Sequence, residues 1–201
     1  MRFALTALVL MLTPALVWAE SLPSTEPRWL FVTRFVLSGT SDTSDPEGIT
    51  IYSGLGLEGA IRRTLGHHLR AELSLRTESR EVDREIGAEA AEPLGSLEVL
   101  PMTLALQYDP EVGGRFHPYA GAGVNLTVVW EKSGFLDTYD VEPHVGPAVQ
   151  LGVDVALGAS AVLNLDVRWN TLTAEIVRDG EDFARVKIDP LALGLGVGFP
   201  F

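Results

Sequence analysis

The feature that most constrains this chain is a strict alternation of apolar residues from Phe116 to Trp130. Every even-numbered position in this stretch is apolar, whereas the odd positions include His117, Asn125 and Thr127. Successive side chains of a β-strand point to opposite faces, so the pattern predicts an extended strand with one apolar face. The stretch is longer than a typical soluble strand, and an alternating run of about ten residues is what a tilted strand needs to cross a bilayer.

The same period of two recurs through the chain and predicts eight strands. They are Trp29 to Leu37, Ile49 to Ile61, Leu69 to Arg76, Leu100 to Tyr108, Phe116 to Trp130, Val141 to Leu157, Leu163 to Asn170 and Leu191 to Phe201. The joins after strands two, four and six are short. The other joins are longer or more polar, above all Thr77 to Val99, where Ala88 to Ala91 could form a helical turn.

Alternating short and long connections are typical of an all-β, eight-stranded antiparallel transmembrane β-barrel with short periplasmic turns and longer extracellular loops. Closure follows from physics, because lipid cannot satisfy the unpaired backbone groups of an open sheet edge. Aromatic residues near the predicted strand ends are typical of the two membrane interfaces. They are Trp29, Tyr108, Trp130, Trp169, Phe199 and Phe201.

The first residues predict export. Residues 1–19 have a basic start at Arg2, an apolar stretch from Phe3 to Leu12 and a small-x-small cleavage site at Val17-Trp18-Ala19, as in a signal peptide. We therefore expect a signal peptide over 1–19 and an outer-membrane barrel over 20–201. No later run is apolar over the roughly twenty residues that a membrane helix requires.

Composition excludes several function classes. The formal net charge of −12 argues against nucleic-acid binding, which needs clustered Lys and Arg. The absence of cysteine removes thiolate metal sites, and the four histidines are spread along the strands without forming a ligand set. Neither Gly-rich run, Gly121 to Gly123 or Gly194 to Gly198, opens a helix as a phosphate loop does. We expect no enzyme activity, no metal and no cofactor.

The residues opposite the apolar faces predict what the barrel encloses. An eight-stranded lumen is wide enough only to be filled by side chains or to hold one small ligand. A lumen charge network is expected among Arg34, Glu58, Arg70, Glu72, Arg76, Asp154, Asp166 and Arg168. Buried charges need partners, so we expect these residues to form ion pairs that plug the base of the barrel.

Toward the loops, the inward positions become apolar. We expect a small substrate-binding pocket formed by Val36, Tyr52, Val129, Val186 and Ile188, which would bind mainly through removal of apolar surface from water. The alternative is tight packing at this level with no cavity.

The second half of the chain resembles the OmpW/AlkL family of small outer-membrane β-barrels. The resemblance is carried by Leu100-Pro101, Leu106-Gln107-Tyr108, Pro118-Tyr119, Gly121-Ala122-Gly123, Asp166-Val167-Arg168, Lys187-Ile188-Asp189-Pro190 and the ending Gly196-Val197-Gly198-Phe199 with Phe201. It implies a monomeric barrel of the bacterial outer membrane that takes up small hydrophobic molecules and releases them sideways through its wall. It also implies that Phe201 is read by the outer-membrane assembly machinery.

Three function classes remain to be separated. The leading hypothesis is a passive channel or carrier for small hydrophobic molecules, with outer-membrane lipid, the assembly machinery and the solute as partners. The alternative is a structural or interaction barrel without transport. A soluble lipocalin-like binder would place its apolar faces inside the barrel. Apolar faces that point outward would therefore exclude this class, and apolar faces that point inward would support it.

Overall fold

The computed structural model describes residues 29–39, 42–45, 49–66, 68–85, 91–110, 114–134, 140–178, 181–188 and 191–201. The expected signal peptide over 1–19 lies outside the described residues. Within these ranges no helix is long and apolar enough to cross a membrane.

The described chain is built of β-strands that form a closed barrel. In chain order they are β1 Trp29–Gly39, β2 Asp42–Asp45, β3 Ile49–Ile51, β4 Gly54–Thr64, β5 Leu69–Glu85, β6 Ala91–Tyr108, β7 Phe116–Lys132, β8 Asp140–Val141, β9 His144–Ala156, β10 Val162–Asn170, β11 Leu172–Arg178, β12 Glu181–Ile188 and β13 Leu191–Pro200. Eight of them close the wall in the order β1-β4-β5-β6-β7-β9-β10-β13, with β13 pairing back to β1. All eight pairings are antiparallel, as expected for an eight-stranded membrane barrel.

The two ends of the barrel differ. The turn end carries the short connections at 65–68, 109–115 and 157–161 together with the two outermost strand ends, Trp29 and Phe201. Gly158 in one of these connections has φ +110°, a conformation that favours glycine, and Leu157 N donates to Ala161 O across it at 2.9 Å. The loop end carries a small sheet in the order β2-β12-β11-β8, and β3 pairs with β5.

The apolar faces point outward, and this confirms the expected direction. Phe35, Leu55 and Val145 are 69%, 75% and 65% exposed on the outer surface. Inner positions of the same strands, such as Arg34 and Glu58, are buried. An apolar outside around a polar inside is the pattern of a barrel in lipid and the reverse of a soluble binder.

The long loop predicted over Thr77 to Val99 is wrong. β5 continues to Glu85 and β6 begins at Ala91, so only residues 86–90 lie outside the described part of this hairpin. Outward Ser79 and Glu81 and inward Glu78 and Arg80 make both faces polar, and the apolar alternation that reveals a strand is lost. The polar stretch from 171 to 190 is likewise largely strand, in β11 and β12.

Candidate functional site: the barrel interior

The inner face of the barrel is lined by an unusual number of buried charges. The charged residues no more than 8% exposed are Arg34, Glu58, Arg62, Glu72, Arg76, Glu78, Arg80, Asp109, Asp154, Asp166 and Arg168. Burying an isolated charge is very unfavourable, so each such group must be paired or hydrogen-bonded. The described contacts divide these residues into a lower and an upper cluster.

The lower charge cluster centres on two arginines and two glutamates from four different strands. Arg34 Nη1 and Nη2 lie 2.5 Å from Glu58 Oε1 and 2.8 Å from Glu72 Oε2. Arg168 reaches the other oxygens of the same two glutamates, at 2.8 Å and 3.1 Å. Because β10, which carries Arg168, is four strands away from β5, which carries Glu72, these ion pairs cross the bore.

The cluster continues toward the turn end through Arg62, which lies 2.8 Å from Glu72 and 2.5 Å from Asp154. Arg70 Nη1 also lies 3.0 Å from Asp154, at the same oxygen. The Tyr119 ring contacts both guanidinium groups, with its centroid 4.7 Å from Arg62 Cζ and 5.1 Å from Arg70 Cζ. Such contacts favour a cation held over an aromatic face.

Neutral groups complete the lower charge cluster. Tyr119 Oη donates to Asp166 Oδ2 at 2.9 Å and accepts from Asn164 Nδ2 at 3.0 Å. The same amide nitrogen of Asn164 donates to Asp154 at 2.6 Å, and Asn164 Oδ1 accepts from Arg34 Nε at 2.6 Å. The side chains therefore form a continuous polar network that links β1, β7, β9 and β10.

Seven of the eight charges predicted from sequence meet in this lower charge cluster, and Arg76 does not. Arg62, Tyr119 and Asn164 were not among the predicted charge-network residues. Arg62 lies an even number of residues from Glu58, so the alternation along the strand would place both side chains inside the barrel. It was not predicted because the second strand was expected to end at Ile61, which placed Arg62 in the following turn.

The upper charge cluster lies nearer the loop end and consists of Ser38, Arg76, Glu78 and Arg80. Glu78 Oε1 accepts from Ser38 Oγ and lies 2.6 Å from Arg80 Nη2, and Glu78 Oε2 lies 3.0 Å from Arg76 Nε. Arg80 Nη2 also donates to Ser38 Oγ at 2.9 Å. The Glu78 side chain lies over Gly54 of β4, and a Cβ at Gly54 would overlap it. Glycine at this position therefore leaves the space that Glu78 occupies.

Two glutamine side chains meet across the wall between β6 and β9. A Cβ on Gly121 would lie 2.9 Å from Gln150 Nε2 and 3.1 Å from Gln107 Cγ, so both amides pass over this glycine. Gln150 Oε1 accepts from Arg168 Nε at 3.1 Å. Gln107 Oε1 and Nε2 and Gln150 Nε2 are buried and have no hydrogen-bond partner among the described residues.

The structure distributes the five predicted pocket residues over different surroundings. Val36 is buried on the inner wall at 4% exposure, Val129 is partly exposed in β7, and Tyr52 is 45% exposed between β3 and β4. Val186 and Ile188 lie in β12, opposite Ser44 and Asp42 of β2, and their side chains lie outside the described part of the structure. The apolar residues buried toward the loop end that sequence reading missed are Val82, Leu94, Leu97 and Val99.

Near the loop end, the pairing between β7 and β9 stops before β7 itself ends. Their pairing runs from Phe116 opposite Val155 to Thr127 opposite His144, but β7 continues to Lys132. Beyond that point β8 pairs with β11, as in Ile176 opposite Val141. Among the described strands, no pairing joins residues 128–131 of β7 to β8 or β9.

No group of three His, Cys, Asp or Glu residues in the described ranges could hold a metal ion. The charges of the lower charge cluster are engaged with one another, so the arrangement can close a bore and resist the passage of ions.

Comparison with known proteins gives a consistent family. The model of the OmpW family matches residues 60–201. An outer-membrane protein, y4mB of Sinorhizobium fredii, is 38% identical over 141 residues, which cover 67% of this chain and 60% of that protein. The dibenzothiophene metabolism operon protein PahQ of Pseudomonas aeruginosa is 30% identical over 112 residues, covering 54% of this chain and 53% of that protein. The chain thus spans a little over half the length of these relatives.

Among solved structures, the outer membrane protein OprG from Pseudomonas aeruginosa superimposes with a TM-score of 0.72 at 23% identity, covering 88% of this chain and 97% of that one. At this level of identity the likeness establishes a common fold. It supports the closed barrel.

Proposed function

Since this chain belongs to the OmpW family of outer-membrane β-barrels, we propose that it is a passive conduit through which small hydrophobic molecules enter the cell. The observation that carries this proposal is the lower charge cluster, whose ion pairs reach across the bore. A bore filled by paired charges leaves little room for a straight aqueous pore, and an eight-stranded barrel has no spare width beside it. A solute that enters at the loop end must then leave through the wall.

The exit is the stretch of wall where β7 pairs with β6 alone. Among the described strand pairings, none joins residues 128–131 of β7 to β8 or β9, and Pro143 lies in the break between β8 and β9. A proline has no backbone N–H for a ladder hydrogen bond, which favours an interruption at this place. A hydrophobic molecule leaving here would pass directly into the acyl chains.

Two observations favour hydrophobic solutes over polar ones. Buried apolar residues such as Val36, Val82 and Val99 line the inner wall toward the loop end. In addition, the relative PahQ is named for a dibenzothiophene metabolism operon, and dibenzothiophene is an aromatic, water-insoluble molecule. We extend this solute class to the present chain, with the pocket of Val36, Tyr52, Val129, Val186 and Ile188 as its proposed binding place.

Uptake tests the proposal. Cells that contain an intracellular aromatic-ring dioxygenase should convert naphthalene several-fold faster when they also make this barrel. Val36→Trp should reduce the gain, because Val36 lies inside between Gly56 and Gly194 of the neighbouring strands. Val149→Trp is the matched control, since Val149 is 46% exposed on the outer face. Equal conversion with and without the barrel would contradict the proposed transport and favour the alternative, a structural or interaction barrel.

Ion conductance tests the closed bore separately. The wild-type protein should show no ion steps in a planar lipid bilayer. Arg168→Ala removes the side chain that joins β10 to Glu58 and Glu72 and should open a measurable conductance. Arg63→Ala is the control, because Arg63 lies exposed on the outer face, over the Trp29 ring.

A further inference from the structure

The outer face of the barrel carries its charges unevenly. Of the described side chains in the eight barrel strands, Arg63 is the only exposed arginine or lysine, and it lies one residue before the turn end of β4. Exposed carboxylates of these strands lie toward the loop end, as Glu81 of β5 and Glu131 of β7 do. Glu131 also faces Glu98 across the pairing of β6 with β7. An anion at the outer face is therefore attracted to the turn end and repelled from the loop end.

Arg63 lies at the edge of the apolar band. The next outward positions of β4 toward the loop end are Ile61, Gly59, Leu57 and Leu55, and none of them is charged. The strand from Arg63 to Leu55 is about 26 Å long, which covers most of the height of the apolar band of a tilted membrane barrel. The guanidinium group of Arg63 thus lies at the level of the lipid head groups.

Aromatic rings hold this guanidinium group in place. Arg63 Cζ lies 5.1 Å from the centroid of the Trp29 ring, and the Trp29 ring stacks on Phe201 with centroids 6.5 Å apart. A cation is stabilised over the face of an indole ring. Among the described residues, no carboxylate contacts the Arg63 guanidinium group. Its charge and its planar fork of N–H groups therefore face outward without an ion-pair partner.

Hydrocarbon surface continues from Arg63 into the membrane. Its neighbour in β5 is Ala71, and Ile61 and Leu73 form the next pair on the outer face toward the loop end. Both side chains of this pair are exposed. A phospholipid whose phosphate contacts Arg63 would lay an acyl chain on Ile61 and Leu73. The surface thus matches both parts of such a molecule.

We propose that Arg63 and Trp29 form a head-group site for an anionic phospholipid of the periplasmic leaflet, which is the leaflet at the turn end of such barrels. The guanidinium group donates to two phosphate oxygens in the bidentate geometry that suits arginine. In an anionic phospholipid, no ammonium group of the same molecule competes for this phosphate. The site lies on the lipid side of the wall, so it is independent of the proposed conduit and its loss leaves the bore unchanged.

The test measures which lipid lies beside Trp29. Trp18→Phe, Trp130→Phe and Trp169→Phe together leave Trp29 as the single tryptophan. This barrel is placed in phosphatidylcholine vesicles with increasing fractions of brominated phosphatidylglycerol or brominated phosphatidylcholine, and quenching of Trp29 fluorescence gives the relative binding constant of each lipid. We expect phosphatidylglycerol to bind about fivefold more tightly, the effect of one basic residue on an anionic lipid.

Arg63→Gln should bring the ratio of the two binding constants to about one, and Arg63→Lys, which keeps the charge and loses the fork, should give an intermediate ratio. The ratio cancels any direct effect of a substitution on Trp29 fluorescence. Arg115→Gln is the matched control and should keep the preference. It removes an exposed positive charge at the same end, but beside β7, three strands away from β4.

Three outcomes would overturn the head-group site. The first is equal binding of the two lipids beside Trp29 with Arg63 present, and the second is an unchanged preference in Arg63→Gln. The third is an equal loss of preference in Arg115→Gln, which would indicate a general attraction of the surface for anionic lipid. A variant with Trp130 as its single tryptophan reports on the loop end, beside Glu131, and should show no preference for phosphatidylglycerol.

Discussion

Tyr119 shows how a single residue organises the lower charge cluster. Its ring contacts two guanidinium groups, its hydroxyl joins Asp166 to Asn164, and its face rests where Gly152 has no side chain. A Cβ at Gly152 would overlap the phenol ring. Glycine is required here because the backbone of β9 and an aromatic ring lie too close together for any other residue.

Gly152→Ala should therefore destabilise the barrel. The added methyl group must displace Tyr119 and disturb its hydrogen bonds, and overpacking of this kind costs about 1–3 kcal/mol. Urea unfolding followed by the shift in electrophoretic mobility between folded and unfolded barrel measures the effect. Gly66→Ala is the matched control, because nothing lies within 4 Å of a Cβ there. Equal unfolding midpoints for the two variants would contradict this view of Tyr119.

At the scale of single elements, the hairpin of β5 and β6 is the largest departure from the sequence-based expectation. Beyond the apolar band of the barrel, the strands need no alternation of apolar and polar side chains. The backbone hydrogen bonds between strands continue there regardless of side-chain polarity. The pairs Glu78 with Val99 and Arg80 with Leu97 lie entirely within the stretch that was expected to be a loop. The buried residues Glu78, Arg80, Leu97 and Val99 were missed for this reason.

A clasp of glycine and serine residues joins β6 to the end of β7. Ser133 N donates to Ser96 O at 3.0 Å, and the two serine hydroxyls lie 2.9 Å apart. Gly95, with φ +142°, and Gly134, with φ +70°, flank these contacts. A Cβ on Gly95 would overlap Ser133 O, so the close approach depends on glycine.

Gly95→Ala should loosen this clasp and expose the ends of β6 and β7 to protease. Gly114→Ala separates the two possible causes, because Gly114 also has positive φ, +81°, but has open space around its Cβ position. We expect Gly95→Ala to be cleaved faster near residues 95 and 133, with Gly114→Ala unchanged there. Similar protection of this region in both variants would show that the contact with Ser133 is dispensable.

At the scale of the whole molecule, barrel closure brings the two strand ends at Trp29 and Phe201 together. Phe201 N donates to Trp29 O at 3.0 Å, and the two rings stack with centroids 6.5 Å apart and an interplanar angle of 18°. The structure thus uses Phe201 for closure, and we propose that the outer-membrane assembly machinery reads the same residue before the barrel closes.

Two substitutions separate these roles of Phe201. Trp29→Ala and Phe201→Ala both remove the stack and should lower the unfolding free energy by a similar amount, about 1 kcal/mol. In cells, Phe201→Ala alone should slow the appearance of folded barrel in the outer membrane, as followed by pulse-chase labelling. If Trp29→Ala slows assembly equally, the effect belongs to closure and the proposed recognition of Phe201 is wrong.

The sequence alone determined the class of this protein, and the tertiary structure decided what its interior does. Alternation of apolar and polar residues is a local property of each strand, so the eight barrel strands and their outward faces were predictable. The sequence predicted that Arg34, Glu58, Glu72 and Arg168 enter a charge network, but not which of them pair, because the pairing depends on closure and on the stagger between strands far apart in the chain. The alternation along each strand predicts which side chains enter the lumen, whereas the closed barrel sets the height at which these side chains meet.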